Sequence, residues 1–179
     1  MKKLLVAFLM GAVTPATAEV VSAGPGGFEV RHSVLVQSTR RDAWTAAVNV
    51  GNWWHPDHTI SGDAGRMSID AKPLGCFCES LGNDDGVVHL TVTSVSTNVM
   101  LRLTGGLGPL GVLGVNGNMS WEFNDEAEGT RVTFTYAVGG YREGGLDAFA
   151  LPVDGVISEA LERLRIFAEG GDPNRYAPQ

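Results

Sequence analysis

Two short stretches concentrate the side chains able to do chemistry. His55-Pro56-Asp57-His58 sets two of the four histidines beside a carboxylate, with Asp63 close behind. Imidazoles at a cavity mouth can ligate a metal or move protons. Pro56 interrupts a plain helix, so the i, i+4 zinc spacing is absent, and a polar loop satisfying its own backbone is the better account. Cys76 and Cys78 are the only cysteines. Strand side chains two apart share a face, and their Cα atoms stand about 6.6 Å apart, near the upper limit for a disulfide. Three readings stay open: two small core residues, a disulfide in an oxidising compartment, or a soft-metal pair completed by His55 or His58. The first is preferred, and no metal is expected on either thiol.

Other polar and aromatic residues are read by their neighbours. Trp53-Trp54 should give one ring to the core and one to a cavity rim or a ligand wall. His89 and Arg102 each stand between apolar residues on strand-like runs, so if the neighbours face in, these two face out. In the opposite register they are the best polar anchors for a cavity. Residues 106–111 fit G-x-G-x-x-G by letter, but Pro109 lies within and no helix follows, which rejects a dinucleotide loop. Their glycines suit bulges and a mobile flap beside a pocket. No G-x-S-x-G elbow and no H-E-x-x-H pattern is present. An acid/base enzyme remains open, since it needs only one positioned group.

What must position these residues is a long C-terminal helix. Over 146–169, Val153, Val156, Ile157, Leu161, Leu164 and Phe167 form one stripe at 3.6-residue spacing, with Asp154, Glu159, Glu162, Arg163 and Glu169 largely off it. Gly144-Gly145 and Gly170-Gly171 bracket the helix, and Pro152 either kinks it or marks its true start. Ahead of it come strand-like runs at 28–36, 66–70, 75–81, 87–95, 99–104, 119–123 and 132–138, with one short helical stretch after Arg41. Asn83-Asp84-Asp85-Gly86 has hairpin-turn chemistry. The expected architecture is α+β: a curved antiparallel sheet of about six or seven strands wrapped on the C-terminal helix. Met119, Trp121, Phe134 and Tyr136 should face the helix stripe and line any cavity, with Trp54, His58 and Tyr141 trimming its open end.

The ends and the charge narrow the functional classes. Lys2-Lys3, the apolar run 4–13 and Ala16-Thr17-Ala18 read as a secretory signal, residues 1–18, cleaved near Ala18 for a periplasmic or secreted destination. Residues 19–27 read as a flexible lead-in, 28–170 as one domain and 171–179 as a tail. The net charge of −7 becomes more negative once Lys2 and Lys3 are removed, which argues against nucleic acid as a partner. No second stretch is long and apolar enough to span a membrane.

The order of elements, together with WWHPDHTISGDA (53–64), GCFCE (75–79), LTGGLGPL (103–110) and TYAVGGY (135–141), resembles a secreted bacterial branch of the START-like superfamily, which holds polyketide cyclases/dehydrases and lipid-transfer domains. The resemblance implies a helix-grip fold with an apolar cavity between sheet and helix; no catalytic set carries over. The favoured expectation is binding of a small hydrophobic molecule without a cofactor. Its rivals are a cyclase or dehydrase using His58, Asp57 or Tyr141 as acid/base, and a metal or redox module on Cys76, Cys78 and the histidines.

Overall fold

The computed structural model describes residues 19–177, so the expected signal segment lies outside the described residues. Eight strands follow: β1 (Glu19–Gly24), β2 (Gly27–Val36), β3 (Met67–Ile69), β4 (Cys76–Gly82), β5 (Asp85–Ser96), β6 (Met100–Gly105), β7 (Val115–Glu126) and β8 (Gly129–Gly140). They form one sheet in the order β1-β2-β8-β7-β6-β5-β4-β3, every neighbouring pair antiparallel. Strands β3 to β8 are a simple meander, and β2 pairs with the last strand. The connection from β2 to β3 carries α1 (Arg40–Val48) and three short 3₁₀ turns. The long helix α2 (Ala150–Ala168) packs on the inner face of the sheet.

Period-two alternation sets that inner face. Met119, Trp121 and Phe123 point inward from β7, and Val132, Phe134, Tyr136 and Val138 from β8. In register, Trp121 stands opposite Phe134 and Met119 opposite Tyr136. Ile157, Ala160, Leu161 and Leu164 of α2 are buried in the same cluster. Cross-strand aromatic pairs and a helix stripe bury each other's apolar surface, which is the main stabilising force of such a two-layer arrangement.

Local chemistry places the boundaries. Thr39 caps α1 by accepting the Asp42 N–H. Asn83 and Asp84 both take positive φ, as a two-residue hairpin turn requires, joining β4 to β5. Residues Asp147–Phe149 form a 3₁₀ turn and the helix proper starts at Ala150, so Pro152 sits in its first turn, where a missing N–H breaks no helical bond.

Two expectations about the ends are corrected. The stretch 19–27, expected as a flexible lead-in, supplies the edge strand β1 and its turn into β2. The stretch after Gly171, expected as a frayed tail, turns back: Pro173 is buried and its carbonyl accepts a hydrogen bond from Arg163. Among the described residues, no helix is long and apolar enough to cross a membrane.

Candidate functional site

The interior between sheet and α2 is aromatic. Trp121 and Phe134 stack with centroids 4.4 Å apart, Trp53 lies 6.0 Å from Trp121, and Phe77 meets Trp54 edge-on at 5.3 Å. Of the expected ligand-binding residues, Met119, Trp121, Phe134 and Tyr136 are buried in this one cluster. Trp54 is buried with them, so both tryptophans of the pair belong to the core and the expected rim position of one is corrected. The indole N–H of Trp54 donates to the His58 carbonyl, which satisfies the polar end of the ring indoors.

All four histidines face carboxylates. His32, inward on β2, donates from Nε2 to Asp154 of α2 at 2.7 Å. His58 Nε2 donates to Glu159 of α2 at 3.0 Å, and His55 Nε2 stands 3.8 Å from the other oxygen of Glu159. His89 Nε2 donates to Glu79 at 3.0 Å, both side chains fully buried. Glu79 also accepts the backbone N–H groups of Ile60 and Ser61, tying the loop after His58 to the sheet. Burial alone would push Glu79 up. The Ser61 hydroxyl, those two N–H groups and His89 outweigh it and hold the carboxyl down at about 2.

His89 departs from the sequence reading, and the cause is a bulge. Phe77 pairs with Leu90 but Cys78 with Val88, leaving His89 without a partner on β4. The extra residue breaks the alternation: His89 is 3% exposed and turned inward beside Phe77, whereas Val88 is 62% exposed. Its Nδ1 is a buried atom with no hydrogen-bond partner among the described residues. Arg102 faces solvent between buried Leu101 and Leu103, as alternation expects.

The segment 53–58 is clamped to α2 by Arg163. This guanidinium is buried and donates to the carbonyls of Trp53, Trp54 and Pro173 and to Asn174 Oδ1, at 2.7, 3.2, 2.8 and 3.1 Å. Desolvation pulls its pKa down, with Glu159 and Asp172 acting against that. Pro56 opens a 3₁₀ turn, Pro56–His58, capped by His55, whose Nδ1 accepts the Asp57 N–H. Residues i and i+3 eclipse in a 3₁₀ turn, so His55 and His58 come to one side, ring centroids 5.5 Å apart. His55, His58 and Glu159 can each offer one donor atom within 4.8 Å of the others.

A second feature lies at the glycine-rich end, where β6 and β8 finish and β2 and β7 begin. The turn Gly108–Val112 tucks Leu107 and Leu110 into the core. Its loop closes so tightly that a Cβ on Gly106 would lie 2.6 Å from backbone of Leu110 and Gly111. The Tyr136 ring crosses bare Gly117, and its hydroxyl donates to the Gly105 carbonyl while accepting the Leu107 N–H. Burial raises the Tyr136 pKa to about 12, so the hydroxyl stays protonated. Val112 in this turn is 89% exposed, and Tyr141, whose N–H donates to the Gly114 carbonyl just beyond it, is 81% exposed. Tyr141, expected to trim one open end together with Trp54 and His58, makes no hydrogen bond or ring contact with either among the described residues.

Cys76 and Cys78 form a disulfide, their Cα atoms 5.3 Å apart. They lie half-buried on the face opposite Phe77, which corrects the preferred core reading. Strand β4 is drawn in below the extended spacing next to its register shift against β5. An oxidised pair offers no thiolate to a metal. A groove of about 270 Å³ lined by residues 48–52, Gly65 and 67–69 includes none of the expected ligand-binding residues.

No family model matches the sequence, and no curated protein does. Solved structures do. An uncharacterised protein from Rhizobium leguminosarum superposes with a TM-score of 0.58 at 17% identity, covering 83% of this chain and 97% of its own. A protein from Thermobifida fusca gives 0.58 at 16%, covering 84% and 98%. An AHSA1-like protein from Aeromonas hydrophila gives 0.51 at 14%, covering 84% and 99%. At such identities the likeness is one of fold: the chain is an α+β protein of helix-grip architecture, one curved antiparallel sheet closed on a C-terminal helix.

Proposed function

We propose that this chain is a secreted START-like protein that binds a small hydrophobic molecule between its sheet and α2, admitted at the glycine-rich end. The observation that carries the reading is the plug at that end. Leu107 and Leu110 fill the end of the core from a short turn whose near side hangs on one tyrosine hydroxyl. Exposed Val112 lies in the turn and exposed Tyr141 beside it, apolar surface of the kind that marks ligand entrances. When the turn swings out, a ligand takes the place of the two leucines against Tyr136, Met119 and the Trp121–Phe134 stack, with Tyr141 at its outer end. The signal-like residues 1–18 support a periplasmic destination.

A thermal-shift screen of lipids, isoprenoids and aromatic polyketides tests this. A ligand held by the folded state alone stabilises by RT ln(1 + [L]/Kd), about 2.7 kcal/mol at a hundredfold excess over Kd. Stabilisation that weakens in Tyr141→Ser supports the proposal. No stabilisation by any of the three classes overturns it. Turnover of a bound compound, lost in His58→Ala, replaces it with the cyclase or dehydrase reading.

A further inference from the structure

We propose that His55, His58 and Glu159 form a site for a divalent transition-metal ion of the borderline class that includes Zn²⁺, with coordination positions left open to solvent. Two imidazoles and one carboxylate are a donor set used by hydrolytic zinc centres. In a tetrahedral site with bonds of about 2.0–2.1 Å, neighbouring donor atoms stand about 3.3 Å apart. Here His58 Nε2 and Glu159 Oε2 are 3.0 Å apart, His55 Nε2 and Glu159 Oε1 are 3.8 Å apart, and a full set lies within 4.8 Å. The donor atoms, at most 4.8 Å apart, stand within about 1.5 Å of tetrahedral spacing, a gap that side-chain rotation can close.

The alternative is that Glu159 merely accepts hydrogen bonds from two imidazoles. One imidazole would serve that purpose, and two converge. Among the described residues Glu159 has no other hydrogen-bond donor, because Arg163, one turn along, is engaged by carbonyl oxygens and Asn174. The three side chains are 17 to 29% exposed, enough for an ion and its waters to enter. The backbone beneath them is preset: Arg163 holds the Trp53 and Trp54 carbonyls, and the Trp54 indole holds that of His58.

An outer partner is also in place. Binding through Nε2 moves the proton of each neutral imidazole, His58 as well as His55, to its Nδ1, with no net proton released. Of the two, it is the Nδ1 of His55 that has a carboxylate beside its proton. The Asp57 carboxylate, 3.8 Å from that Nδ1, then accepts it in exchange for the present Asp57 N–H contact. Such a carboxylate–imidazole–metal relay fixes the tautomer and the ring orientation of the ligand. The disulfide removes the cysteines from competition, which leaves a nitrogen and oxygen site.

The test uses the untagged chain, freed of metal by a chelator, titrated with Zn²⁺ by calorimetry and with Co²⁺ by visible absorption. One equivalent should bind. His58→Ala and the near-isosteric Glu159→Gln should each weaken Zn²⁺ by about 100-fold, and Asp57→Asn by about 10-fold, with melting of the metal-free proteins little changed. No binding tighter than about 1 mM overturns the proposal. So does Zn²⁺ affinity retained in the His58→Ala, Glu159→Gln double variant. A Co²⁺ spectrum with thiolate charge-transfer bands also overturns it, since that would assign the ion to Cys76 and Cys78.

Discussion

Arg163 Nε donates to the Trp53 carbonyl at 2.7 Å, across 110 residues of sequence and inside the protein. The bond joins the C-terminal helix to the segment that carries both imidazoles. No carboxylate lies within 4 Å of this guanidinium among the described residues; backbone carbonyls and one amide oxygen take its donors instead. Removing it strands three buried carbonyls, whereas the fork geometry that serves them belongs to arginine alone.

Arg163→Met should therefore destabilise by about 3 kcal/mol, and Arg163→Lys should recover less than half of that. Urea denaturation of the three proteins, with equal slopes and shifted midpoints, is the measurement.

The aromatic stack is the centre of the core. Trp121→Ala removes the ring stacked on Phe134 and should cost about 3–5 kcal/mol. Trp121→Phe should cost less than half as much, by keeping an aromatic ring against Phe134. Chemical denaturation gives both values.

Glu79 makes stability depend on acid. Its folded pKa of about 2 lies below the ordinary 4.5, so its contribution is fully present above pH 4.5 and is lost as pH falls toward 2. Glu79→Gln should lower stability by about 2–3 kcal/mol at pH 7 and flatten the acid limb between pH 4.5 and 2. Melting temperatures of both proteins across that range decide it; parallel acid limbs would count against the buried pair.

The disulfide closes a very short loop. A loop of three residues removes little entropy from the unfolded chain, about 1.6 kcal/mol in the chain-entropy account. The Cys76→Ser, Cys78→Ser protein should keep its fold and melt only a few degrees lower, as should the reduced native protein.

Much of the fold was legible because its signals are local. Alternation in 119–123 and 132–138 and the stripe from Val153 to Phe167 depend only on the period of the backbone, and both stand in the structure. Alternation marks β2, β7 and β8 in this way, and strand-like runs between turn signals mark β3 to β6. Strand β1 has no such mark, because a small-residue edge strand carries little pattern and becomes a strand only by pairing with β2.

What tertiary structure alone decided concerns the candidate sites. His89 looked outward by alternation, and a bulge, which depends on how β4 and β5 pair, turned it in. Arg163 read as a residue off the apolar stripe; it is buried because segment 53–54 and the Pro173 turn close over that flank of α2. His55 and His58 match no ligand spacing, since a 3₁₀ turn uses i, i+3 and their third partner arrives from Glu159, 101 residues beyond His58. Periodicity settles which face of an element is apolar. Which polar side chains meet across the fold depends on register, bulges and packing, and those follow from the whole chain at once.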